Sequence, residues 1–255
     1  MNEDERYIVG PVMKALKVLD AIAEKGHPVS LTTLASELGL PKTSAFRYLR
    51  TLTAAGFASY DPVHDRYGVG TRFRALATAD KSIQRLRSLA LPFLSELNRE
   101  FNETINLAVP AEQEVVYIDI VESTRALRMQ ARVGSRDPLH STALGKAILA
   151  HLSPEERKVR LSEALAQRTV RTITQLRVIE RQLREVARTG AAIEIGENEE
   201  GSMCIGVAIL DERSHPLAAI SLSAPERRIS DVVRDRAIAR LKEAAARISE
   251  GLLRP

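Results

Sequence analysis

The stretch over residues 30–56, SLTTLASELGLPKTSAFRYLRTLTAAG, constrains the fold of this chain more than any other. Two short apolar runs at helical spacing are separated by Gly39, with Pro41 just beyond. Leu31, Leu34, Ala35 and Leu38 form one stripe; Ala45, Tyr48, Leu49 and Leu52 form another. Ser30 is placed to cap the first helix. Gly39 ends it, because a left-handed turn is easy for glycine. Pro41 suits the opening of the second helix, which the pattern carries to about residue 55, before Gly56. Packed stripe to stripe, the two helices leave the second with an outward face of Lys42, Thr43, Ser44, Arg47 and Arg50.

Taken alone, such a pair reads as a helical hairpin with a solvated charged face. Its surroundings argue for more. A leading helix is expected over residues 12–25, with Pro11 in its first turn and Gly26 at its end. Residues 57–70 read as a β-hairpin whose turn uses Asp61-Pro62 and His64-Asp65, with Arg66 near the tip. Between Pro41 and Arg74 lie six basic residues and two acids, a surplus equal to the whole chain's net charge of +4. Local positive charge is what a phosphate backbone attracts. The order of elements is that of a winged helix-turn-helix. In that geometry the first residues of the recognition helix reach base edges. Lys42, Thr43, Ser44 and Arg47 are therefore the expected base contacts, Arg50 a phosphate contact and Arg66 the wing contact.

The chain's 255 residues suit two domains. A helical pattern over residues 71–101, broken near Pro92, includes a linker helix with no Gly/Ser-rich tether. The expected organisation is a DNA-binding domain over 1–70, a linker helix over 71–82, and an effector-binding and oligomerisation domain over 83–255. In the last, strands are expected over 104–109, 115–121, 191–195, 204–210 and 217–222. Helices are expected over 141–151, 154–164, 175–189 and 229–252. Adjacent strand pairs with helices between them predict an α+β fold on an antiparallel sheet.

Other classes fit poorly. The single Cys204 excludes an internal disulfide and a cysteine zinc cluster. The acidic start MNEDERYIVG is no signal peptide, and no apolar run approaches the ~18 residues of a membrane span, so a cytoplasmic protein is expected. A phosphate-binding loop would need glycine where His140 stands and Ser or Thr where Ala147 stands. His140 and His151 are not at a metal-ligand spacing and read as surface or interface histidines. Neither a cofactor nor a metal is expected, and the chain does not read as an enzyme.

At this point the sequence resembles the IclR family of bacterial transcriptional regulators. The N-terminal residues that carry the likeness are VMKALKVL from Val12, the LPKTSAFRYLRTL run and the YGVG from Tyr67. Three further blocks carry it later: RVGSRDPLHSTALGKAILA from Arg132, GAAIEIGENEEGSMC from Gly190, and AAISLSAP from Ala218. The resemblance implies a GAF-like effector domain, dimers through the DNA-binding part that often pair into tetramers, palindromic operators on double-stranded DNA, and control of a catabolic operon by a small carboxylic or aromatic acid. It places Ala143, Gly145, Lys146, Glu194, Cys204, Ser221 and Ser223 in the effector pocket. One departure is that Ile195 and Gly196 interrupt the acids after residue 190, which leaves ligand identity open.

The residues themselves leave several roles undecided. Amides at 145–147, near a helix start, could hold an anion. Ser221 and Ser223 share a strand face and could orient a ligand or line a solvated sheet. Cys204 could be a small buried apolar residue, and Glu194 an ordinary strand-end acid. Arg125, Arg128, Arg132 and Arg136 could form a solvated edge, an interface or a charge complement for a ligand. The reading is a ligand-responsive DNA-binding regulator. The alternatives are a small-molecule module or enzyme without specific DNA binding, and an architectural DNA binder.

Overall fold

A computed structural model describes residues 7–77, 80–161 and 164–254. The chain divides into two compact units, Met1–Lys81 and Ser82–Pro255.

In the first unit, α1 (Gly10–Lys25), α2 (Leu31–Glu37) and α3 (Lys42–Ala54) precede a hairpin of β1 (Ala58–Asp61) and β2 (Arg66–Val69), then α4 (Thr71–Ala77). The caps are those the residues dictate. Gly26 closes α1 in the left-handed region at φ 66°, and the Ser30 hydroxyl accepts from the Thr33 amide at 3.1 Å. Gly39 turns the chain between α2 and α3 at φ 60°. Val18, Leu19 and Ile22 of α1 meet Leu34, Leu49, Leu52, Ala58 and Tyr67 in one small core. Backbone bonds in both directions between Val29 and Tyr67, at 2.8 Å, tie the hairpin to the start of α2. The expected linker helix includes residues 78 and 79, which lie outside the described residues.

The second unit begins in α5 (Lys81–Phe101). Pro92 lies inside this helix and does not break it, contrary to the sequence expectation. Proline removes one hydrogen bond from the helix. Leu86, Ala90, Leu94 and Leu97 form a continuous buried stripe on both sides of it, and packing outweighs the local defect.

The sheet consists of β3 (Thr104–Ala111), β4 (Glu114–Val121), β5 (Arg136–Pro138), β6 (Ala192–Ile195), β7 (Ser202–Leu210) and β8 (Pro216–Pro225). Its order is β5-β4-β3-β8-β7-β6, and every pairing is antiparallel. The short edge strand β5 has no counterpart in the sequence reading; Arg-Asp-Pro carries neither β-branched residues nor alternation. Along β8, Ile220, Leu222 and Ala224 face one core, shared with α5 and α9 (Asp231–Leu253). The opposite face packs on α6 (Ala143–Leu149) and α8 (Leu176–Thr189). The helix expected over 154–164 is the shorter α7 (Pro154–Arg160), opened by a complete Ser153–Glu156 capping box.

Candidate DNA-binding face and effector cavity

Helix α3 is held from beneath by Ala45, Leu49 and Leu52, all buried. That registration turns Lys42, Thr43, Arg47 and Arg50 to solvent, with Ser44 half-buried. The Arg47 and Leu49 carbonyls accept from the Thr51 and Thr53 hydroxyls, both at 2.8 Å, so these threonines serve their own helix. The salt bridges of this unit among the described residues are Lys25–Glu37 and His64–Asp61, so no described acid of the unit forms a salt bridge with a cation of α3.

The wing is built locally. Asp61 Oδ1 accepts from the Val63 amide at 2.9 Å, and Oδ2 lies 2.7 Å from His64 Nδ1. The hydrogen bond to His64, then that from Val63, holds the Asp61 carboxyl below the usual carboxylate range. Asp65 adopts φ 52° and accepts from the Tyr60 hydroxyl at 3.0 Å. Arg66 follows directly, exposed at the first position of β2 and opposite Asp61.

In the second unit, the strand register assembles a polar floor from distant segments. Thr104 pairs with Ser223, Ser223 with Cys204, and Cys204 with Glu194, which makes one row across four strands. Asn106, opposite Ser221, begins a second row two positions along β3. Both rows face α6, because alternate residues of a strand share a face. They line a cavity of about 60 Å³ together with Tyr117, Asp137, Ala143 and Leu144.

The floor is fixed by its own hydrogen bonds. Asn106 Nδ2 donates to the hydroxyls of both Ser221 and Ser223, each at 3.1 Å. The Tyr117 hydroxyl donates to Asp137 Oδ2 at 3.0 Å; burial, and after it the Asp137 carboxylate, raises the pKa of this hydroxyl. Glu194 Oε1 accepts from the Glu197 and Asn198 amides, the latter at 3.1 Å. Burial nevertheless raises the Glu194 carboxyl above its usual value, and it raises the Cys204 thiol too.

Of the expected pocket residues, Ala143, Glu194, Cys204, Ser221 and Ser223 line this cavity; Gly145 and Lys146 do not. Gly145 packs against backbone: a Cβ there would stand 2.2 Å from the Leu139 carbonyl oxygen. Its amide donates to Thr142 Oγ1 at 3.0 Å and the Lys146 amide to the Thr142 carbonyl at 2.9 Å, so neither is available to an anion. Lys146 is buried, and its ammonium pairs with Glu197. His140, read as a surface or interface residue, is buried within its own unit, with Nε2 3.0 Å from the Ala166 carbonyl. The four arginines that precede α6 do not line the cavity, and three of them bind acids: Arg125 to Glu103, Arg128 to Glu122 and Arg136 to Glu114.

Asn106, Thr104, Tyr117 and Asp137 escaped the sequence reading. A signal existed for two of them. Thr104 and Asn106 alternate with Ile105 and Leu107 as Ser221 and Ser223 alternate with Ile220 and Leu222.

The family model described as "IclR helix-turn-helix domain" matches residues 11–62, and "Bacterial transcriptional regulator IclR C-terminal" matches residues 80–250. The chain belongs to the IclR family of bacterial transcriptional regulators. It is 33% identical over 244 residues to the HTH-type transcriptional regulator KdgR of Dickeya chrysanthemi, covering 95% of this chain and 79% of that protein. It is 32% identical to the transcriptional repressor IclR of Escherichia coli, covering 88% and 82%. Among solved structures, IclR of Thermotoga maritima matches with TM-score 0.75 at 31% identity, over 96% of this chain and 99% of that one. An IclR homolog from Microbacterium hydrocarbonoxydans, complexed with 4-hydroxybenzoate, matches with TM-score 0.81 at 26% identity, over 95% and 99%. Like these relatives, the IclR-family chain is a transcriptional regulator with a DNA-binding and an effector domain, and not an enzyme. None of the described helices is long and apolar enough to cross a membrane.

Proposed function

We propose that this IclR-family regulator reads double-stranded operator DNA with Lys42, Thr43, Ser44 and Arg47, holds the backbone with Arg50 and Arg66, and answers to a small organic acid in the cavity beneath α6. The domains of this reading are 1–70 for DNA, 71–82 for the linker and 83–255 for effector binding and assembly. It works in the cytoplasm as a homodimer, or as a tetramer built from dimers, on a catabolic operon. The observation that carries the reading is the exposed cationic face of α3, which has no salt bridge to a described residue, on an apolar base.

The test is electrophoretic mobility shift with the DNA upstream of the protein's own gene, against scrambled DNA of equal length. The wild type is expected to retain the first selectively. Arg47→Ala should cost about 1–3 kcal/mol of specific affinity and much less on scrambled DNA, since base contacts specify while phosphate contacts position. Equal loss on both DNAs would remove Arg47 from base reading. No retention at low salt would favour a small-molecule module without specific DNA binding.

A further inference from the structure

A second surplus of positive charge lies far from α3 in the sequence. Between Leu165 and Gly190 there are six arginines and two glutamates; six minus two gives +4, again the net charge of the whole chain. Two of the six are engaged within the second unit, Arg168 with Asp137 at 3.7 Å and Arg171 with Glu226 at 3.0 Å. The other four lie on α8. Its Ile179, Leu183 and Val186 are buried in the core, which turns the opposite side of the helix outward. That side carries Arg177, Arg181, Arg184 and Arg188, all exposed, at intervals of four, three and four residues. Such intervals make one straight stripe on a helix, and the two glutamates, Glu180 and Glu185, fall to either side of it. Arg188 pairs with Glu185. Arg177, Arg181 and Arg184 form no hydrogen bond or ion pair with a described residue.

The row works against the helix that carries it. Like charges three and four residues apart repel, and a cation at the second position of a helix faces the positive end of its dipole. The first turn of α8 holds no acid to offset Arg177, and Gln175 supplies no side-chain cap. The helix is held instead by its apolar face and, at the other end, by Lys242 Nζ, which donates to the Thr189 carbonyl at 2.8 Å. An anion laid along the row would relieve the repulsion. We propose that Arg177, Arg181 and Arg184 form a second DNA contact, which grips the phosphate backbone of the duplex flanking the operator without reading its sequence. The inference rests on the chain binding DNA, as proposed for α3, and adds a contact outside that helix. Three features select a phosphate ladder. From Arg177 to Arg184 the helix rises about 10 Å, and over that length a duplex presents about six phosphate charges. The guanidinium fork matches phosphate oxygens. The row itself has no apolar or aromatic anchor of the kind that centres a protein interface. Nor is the acidic cluster of α5 and α9 open to the row of a second copy, because Glu96, Glu100 and Glu243 are already held by Arg240.

The experiment titrates the full-length chain against two duplexes over a range of salt concentrations. One duplex is limited to the operator footprint, and the other extends it by about 20 base pairs, two helical turns, at each end. The wild type should bind the extended duplex more tightly and with the steeper salt dependence. In the triple variant Arg177→Gln, Arg181→Gln, Arg184→Gln, the slope of log affinity against log salt should become shallower by about 2.7 on the extended duplex, since each phosphate contact contributes about 0.9. On the operator-only duplex it should stay as in the wild type, which also shows that the variant is folded. The triple change to lysine, which keeps the charge, should restore most of the slope. Arg47→Ala should weaken both duplexes and preserve the difference between them, so a failure of the α3 reading is told apart from a failure of this one. A glutamine variant that binds both duplexes as the wild type does would leave the row to solvent or to a protein partner and overturn the inference. An equal fall in slope on both duplexes would overturn the flanking placement. If the wild type retains neither duplex at low salt, the operator reading falls first and the inference with it.

Discussion

Helices α3 and α6 each carry a lysine, yet the fold uses the two in opposite ways. Helix α3 buries one stripe and turns its lysine and arginines outward. Helix α6 buries every one of its seven residues, lysine included. The difference comes from what each rests on. Helix α3 lies on the small core of the first unit, which covers one side of it. Helix α6 is pressed between the sheet and its neighbours, with Thr142 spent on its first turn and Lys146 on Glu197. A charge in a sequence therefore marks a binding face only where one side of the element is left open. Where both sides are covered, the same charge is internal structure.

The largest effect should come from testing that contrast at the two lysines. Lys146→Met leaves Glu197 as an uncompensated buried carboxylate and should destabilise the second unit by about 3–5 kcal/mol. Adding Glu197→Leu should recover most of it, because a pair replaced by apolar groups costs little. Lys42→Met, on the exposed face of α3, should change stability by no more than about 0.5 kcal/mol. Denaturant titration of the three variants measures all of this. A single Lys146→Met that melts like the wild type would show that the lysine is not confined as the structure has it.

A smaller difference separates two glycines. Gly145→Ala places a methyl group against the Leu139 backbone, which cannot swing aside as a side chain can. The cost should be about 3 kcal/mol, at the upper end for overpacking. Gly39→Ala meets nothing within 4 Å, so only the left-handed backbone at φ 60° resists it. That costs about 1 kcal/mol. Thermal melts that rank the two the other way would break the comparison.

The same contrast explains what could be read from the sequence. The first unit was legible almost residue by residue, because its information is local: Ser30, Gly39 and Pro41 mark boundaries within a few positions of where they act, and the outward face of α3 follows from helical period alone. The second unit's strands and helices were legible too, from alternation and apolar spacing. Its cavity was legible in part. Ala143, Glu194, Cys204, Ser221 and Ser223 came from resemblance, and the row that joins Thr104 to Glu194 is a product of strand order, β3-β8-β7-β6, which no short-range pattern encodes. Lys146 and Gly145 were misplaced for the complementary reason. A motif tells which residues are constrained, and a backbone contact or a buried pair constrains as strictly as a ligand does. Asp137 had no signal, since β5, which supplies it, is three residues of unstrand-like composition; Tyr117 lies on an expected strand, but its hydroxyl's partner is that same Asp137.

The mildest expected contrast is in response to acid. In the second unit, burial lowers the pKa of His140 and of His151 below the ordinary histidine value. Both described histidines of the first unit, His27 and His64, are exposed. A histidine held neutral by burial binds its proton more readily in the unfolded chain. Between the lowered folded value and the ordinary one, the unfolded state then carries more protons, and stability rises with pH. The second unit should accordingly lose stability as pH falls through the ordinary histidine range, and the loss should stop growing once pH passes below the lowered value. His140→Asn, which removes the titrating ring, should flatten part of that slope, whereas His64→Asn should leave it unchanged. Urea titrations at a series of pH values read the slope directly. A slope that His64→Asn removes and His140→Asn preserves would assign the acid sensitivity to the wing instead of the effector unit.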